Sequence, residues 1–151
     1  MLINQENKGR SLSREIGAKN AKYPNLLFID SRCEAEKDTL IIIKLKNYKT
    51  IIGSPLSRTE SKLERFNQLI RKPIYGRMFN DRNFKDFFIE KSNFDDIPKG
   101  AGIFFINKKL FLNSQIKNKD SKNSSDDTKL LWNIVQKERI LKTADIKVTY
   151  H

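Results

Sequence analysis

The chain has 151 residues, the size of one domain, and its 38% apolar content, with ten Phe, is enough for one core without disulfide staples. Thirty Lys and Arg against eighteen Asp and Glu leave a net charge of +12, a surplus that repels itself in the folded state and points to an anionic partner, nucleic acid foremost. A single cysteine, Cys33, excludes an internal disulfide, and no run approaches the ~18 apolar residues of a membrane span.

Residues 1–22 are polar and basic without a period, and are expected as a flexible N-terminal arm, ordered only if the core or a partner ties it down. They lack the apolar centre of a signal peptide, and the lone cysteine suits a reducing compartment. A cytoplasmic location is expected, with an organellar matrix as the alternative. The runs NLLFID (25–30) and TLIIIKLK (39–46) are short, apolar and flanked by polar turns, which predicts two strands. KTIIG (49–53) is expected to pair back on the second of these, and Gly53 and Pro55 end the unit.

Ser57 and Glu60 form the S-x-x-E of a capping box, and a helix is predicted over 58–71 with Leu63, Phe66 and Ile70 on one stripe. Pro73 and Gly76 stop it. A second short helix is predicted from Asp81 to about Lys91, with a strand as the rival reading of its FFIE run. GIFFI (102–106) and KLFLN (109–113), joined by Asn107 and Lys108, read as a hairpin. Residues 114–128 are expected as a polar surface loop. Asp126 or Asp127 can cap a helix to about 139 with Leu130, Leu131, Ile134 and Val135 facing in and Trp132 at its edge. ADIKVTY (144–150) alternates as a half-buried strand does. The expected fold is one α+β domain over 23–151, an antiparallel sheet with two or three helices packed on it.

Few patterns carry chemistry. Cys33 and His151 are too few for zinc, so no metal is expected, and no glycine-rich phosphate loop is present, so no cofactor is expected either. Cys33 reads as a small half-buried residue, and it becomes a nucleophile only if His151 reaches it. Asp145-x-Lys147, with Asp126 and Asp127 upstream, has the local form of a metal-dependent nuclease motif. Catalytic residues are otherwise unknown, and an enzyme, if this is one, is expected to be a small toxin-like nuclease.

The basic residues carry more. On the predicted 58–71 helix, Arg58, Lys62 and Arg65 share a face at i, i+4, i+7, and Lys72 continues it, a spacing that can follow a phosphate backbone. Arg71, Arg77 and Arg82 lie nearby with Tyr75, which is suited to stack on an unpaired base. Lys44, Lys46 and Lys49 form a second expected patch. A solvated face, an acidic lipid or an acidic protein partner are the alternatives.

The segment from Cys33 through Thr39-Leu40, Ile41-Ile42-Ile43-Lys44-Leu45-Lys46-Asn47 and on to Gly53 resembles the front of a TLDc domain. Ser13-Arg14-Glu15 and Ala18-Lys19 are similar to that family's opening. FFIEK (87–91), KLFLN (109–113) and ADIKV (144–148) stand in the order of its later strands. The resemblance implies a non-enzymatic, β-sandwich-like interaction domain linked to oxidation resistance and to the vacuolar proton pump, with a strand over 87–91.

The residues themselves favour a protein that binds RNA, or DNA, by its backbone phosphates within a larger assembly that includes other proteins. Reversing Arg58, Lys62 and Arg65 together to Glu is expected to abolish RNA binding in an anisotropy titration while the circular dichroism spectrum stays that of the parent.

Overall fold

The computed structural model describes residues 9–55, 86–97, 100, 102–115 and 126–150. The helix expected over 58–71, the residues Arg58, Lys62, Arg65, Arg71, Lys72, Tyr75, Arg77 and Arg82, His151 and most of the 114–128 loop lie outside them.

The fold is α+β, as expected, and its elements follow in chain order. They are α1 (Arg10–Asn20), β1 (Asn25–Ile29), β2 (Cys33–Ala35), α2 (Thr39–Lys46), β3 (Thr50–Pro55), β4 (Phe87–Ile89), β5 (Ile103–Asn107), α3 (Lys108–Asn113), α4 (Asp126–Val135) and β6 (Ile140–Tyr150). A 3-10 turn, Lys91–Asn93, follows β4. The six strands form one sheet in the order β1-β5-β3-β6-β2, with β4 also on β6. The sheet is mixed, not purely antiparallel, because β3 and β6 run parallel.

Four local expectations are corrected. Residues 39–46 form a helix, not a strand, and therefore do not make a hairpin with β3. Ile43 and Thr39, one turn apart, are buried, and Asn47 ends the helix in the left-handed region at φ 47°. KLFLN is helical as well. The Asn107 side chain, expected in a hairpin turn, accepts from the backbone N–H of Lys109 at 2.9 Å and of Leu110 at 3.4 Å, so it caps α3 and turns the chain off the sheet. Phe87–Ile89 is a strand, not the end of a helix, because Ile89 fills the core opposite Ile140. Residues 10–20, expected within the arm, are a helix that the core ties down through Ala18, and Lys108 Nζ donates to the carbonyls of Lys19 (3.1 Å) and Ala21 (2.8 Å) at its end.

The sheet buries both faces. One packs α1, α3 and α4 around Ile52, Phe104, Ile106, Phe111 and Ile140. On α4 the four residues expected to face in are buried, and Trp132 lies at the edge with its ring 5.0 Å from Phe94. The other face packs α2 through Ile43 on Ile51, Ile103, Leu141 and Ile146.

β6 joins these parts. Its first residues lie between β3 and β4, and its last pair with β2. Between Gly53 and Ser54 the register on β6 jumps from Thr143 to Lys147, so β6 bulges and drives Ile146 towards β3. A Cβ on Gly53 would stand 2.2 Å from Ile103 Cγ2 and 2.9 Å from the Ile146 carbonyl oxygen. Next to the bulge, Lys142 is buried, and burial alone pushes its pKa down from 10.5 to about 8.

Gly53→Ala is expected to cost about 1–3 kcal/mol in a urea titration, because the close approach is to backbone as well as side chain. Gly17→Ala, in an open position on α1, is expected to gain about 0.5–1 kcal/mol. The depressed folded-state pKa of Lys142 sets the sign of a pH effect. Below about pH 8 the native state carries the full cost of a buried ammonium, and the cost disappears as the pH rises from 8 towards 10.5. Relative to Lys142→Met, the parent should therefore gain roughly 2 kcal/mol of stability between pH 7 and 9.5, measured by urea denaturation across that range.

Candidate nucleic-acid interface

The register of the sheet brings five separate turns to one end. Asn25 pairs with Asn107, Ile106 with Thr50, Ile51 with Leu141, and Ile140 with Ile89. Residues 21–24, 47–49, 90–93, 108–109 and 136–139 therefore lie together beyond the strand ends. They carry seven cations, Lys22, Lys49, Lys91, Lys108, Lys109, Lys137 and Arg139, against two carboxylates, Glu90 and Glu138. At the opposite end, the described residues 30–38 carry Asp30, Glu34, Glu36 and Asp38 against Arg32 and Lys37.

Three of the seven cations are held by the fold. Lys108 caps α1, and Lys137 Nζ donates to the Asn113 carbonyl at 2.5 Å and to Ser114 Oγ at 3.2 Å, closing the end of α3. Arg139 lies over the Phe88 ring, its guanidinium carbon 3.9 Å from the centroid, and its Nε donates to the Tyr48 hydroxyl at 2.7 Å. Tyr48 and Phe88 are themselves in contact, with centroids 5.2 Å apart. Lys22, Lys49, Lys91 and Lys109 are exposed, and so is Tyr23. Fixed cations beside exposed ones and aromatic faces can bind a phosphate backbone and stack bases.

The glutamates are tied down. Glu138 accepts from the hydroxyl of Thr50, which is wholly buried at the start of β3. The Glu90 carboxylate accepts from the Asn93 backbone N–H in a reciprocal cap of the 3-10 turn, with the Asn93 side chain accepting from Glu90 N–H at 2.8 Å. Between these turns an open hollow of about 420 Å³ is lined in part by Glu90, Ser92, Val135, Glu138 and Arg139.

The patch expected from Lys44, Lys46 and Lys49 is divided by the helical form of 39–46. Lys49 lies at the basic end. Lys46 Nζ is 2.5 Å from Asp145 Oδ2 and 2.6 Å from Asp86 Oδ2, and these two carboxylates hold its pKa above the ordinary value. Lys44 stands exposed on the outer side of α2 among Leu40, Ile41 and Leu45.

Two carboxylates of the nuclease pattern have other partners. Asp145 takes Lys46, while Asp127 accepts from Arg14 on α1. Among the described residues no group of three His, Cys, Asp or Glu side chains is placed to hold a metal ion. Cys33 is half-buried beside the second core cluster, as its sequence context predicts. No helix among the described residues is long and apolar enough to cross a membrane.

The basic end escapes sequence reasoning because its members come from five turns with no common spacing. Asn107 and Arg139 were the available signals, the first as a helix cap and the second as a cation entering a strand. No protein-family model matches the chain, and no curated protein matches it.

Proposed function

We propose that this protein binds nucleic acid, RNA in preference to DNA, through backbone phosphates, and does so within a larger assembly. The observation that carries this reading is the charge of one sheet end, where seven cations face two carboxylates and aromatic rings lie among them. Residues 56–85, outside the described part, carry eight Lys and Arg against three Asp and Glu in the sequence. Contacts to phosphate carry no sequence code, so binding of a general kind follows from these groups. The aromatic and guanidinium surfaces favour unpaired strands, which are commoner in RNA.

A second reading, a non-enzymatic protein-interaction module of the kind the TLDc resemblance implies, is favoured by a different surface. Leu40, Ile41 and Leu45 on α2 are 67%, 62% and 77% exposed, an apolar face of the sort that meets another protein. The two readings are compatible in a ribonucleoprotein, where one surface meets RNA and another meets protein.

Binding of labelled single-stranded RNA and of duplex DNA at roughly 50 and 200 mM salt tests the first reading. Several phosphate contacts should cost a factor of ~10³ over that range, with RNA the tighter ligand. Reversing Lys22, Lys49 and Lys109 to Glu should weaken binding at low salt and flatten the salt dependence by about three contacts' worth of slope. Absence of binding at the lower salt would leave protein interaction as the reading.

A further inference from the structure

We propose that the ring of Tyr23 is a stacking platform for one unpaired base, which makes this sheet end a binder of single strands more than of duplex. This rests on the nucleic-acid reading above and assigns to it a specificity-determining residue.

Tyr23 is 76% exposed and belongs to neither core cluster, whereas Trp132 is 42% exposed and meets the Phe94 ring at 5.0 Å. A single exposed ring is ordinary on a protein surface. What sets Tyr23 apart is the backbone that carries it. Lys108 holds the 21–24 turn at both ends, its backbone N–H donating to the Pro24 carbonyl at 2.7 Å and its Nζ to the Ala21 carbonyl at 2.8 Å. The place of the ring is therefore set by folding, and only its two side-chain torsions remain to be ordered when a base stacks on it.

The charge around the ring suits a polyanion. β1 is the edge strand of the sheet and β5 is its neighbour, so residues 21–24 and 108–109 form one corner of the basic end. That corner carries Lys22, Lys108 and Lys109 and no carboxylate. Glu15 on the adjoining α1 is paired with Lys19 at 2.8 Å. Lys22 and Lys109 are exposed and can take phosphates of a strand whose base lies on the ring.

Every base has a π-face, so the ring selects none of them. In a duplex those faces are covered by the neighbouring base pairs, and reaching one requires unstacking. The preference expected of Tyr23 is therefore for strand type and not for sequence.

The test is an anisotropy titration with three RNAs, a 12-nucleotide U-only strand, a strand of the same length made of abasic ribose spacers, and a 12-base-pair duplex. The U-only strand is expected to bind at least about fivefold tighter than the abasic strand, the lower end of what one stacked base contributes. Tyr23→Ala should remove that difference and Tyr23→Phe should keep it, with duplex affinity within about twofold and the urea midpoint unchanged in both. The salt dependence of the Tyr23→Ala protein should match the parent's, because no phosphate contact is lost. Equal binding of the U-only and abasic strands by the parent overturns the platform while leaving the basic sheet end in place. So does a Tyr23→Ala protein that keeps the difference or weakens all three RNAs alike. Failure of all three RNAs to bind the parent overturns the phosphate-binding reading together with the platform.

Discussion

The close parallel contact between β3 and β6 is the constraint on which the rest of the molecule depends. β6 holds β3 along one edge and both β4 and β2 along the other, so three strands from distant parts of the chain meet on one. The contact closes only because position 53 has no side chain and the bulge of β6 fills the vacant space with Ile146. From it follow the alignment of strand ends and the gathering of five turns at one end of the sheet. The burial of Lys142 beside the bulge is a cost of the same arrangement, since the strand is covered where its sequence is polar.

The parts of the fold that were legible were those in which pattern and burial agree. α4 presents Leu130, Leu131, Ile134 and Val135 at helical spacing and buries all four, and the alternation from Ala144 predicted the second half of β6. α2 was misread because Ile41 to Ile43 has strong strand propensity and Lys44 and Lys46 mimic a period of two. Tertiary packing decides otherwise, burying Thr39 and Ile43 on one side. Helix stop signals were present, lysines in the last turn and Asn47 after it. For α3 the error was in the chemistry of Asn107, a residue equally at home in a turn and at a helix cap. The parallel pairing of β3 with β6 joins residues some ninety positions apart, and nothing local encodes it.

The two surfaces proposed to act differ in what makes them. The basic end is built from turn residues that already serve the fold. Lys108 and Lys137 close helix ends and Arg139 covers Phe88, so their charges are fixed before any ligand arrives. The outer side of α2 is apolar where the inner side is also apolar, because a helix of eight residues with five aliphatic side chains cannot hide them all against one sheet face.

Among the described residues, positive side chains gather at one end of the strands and the carboxylates of residues 30–38 lie at the other. The positive potential over the basic end draws a nearby polyanion towards Lys22, Lys49 and Lys109 before contact. Encounters at that end then become more frequent, most at low ionic strength, so side chains that close turns of the fold also set a rate of association.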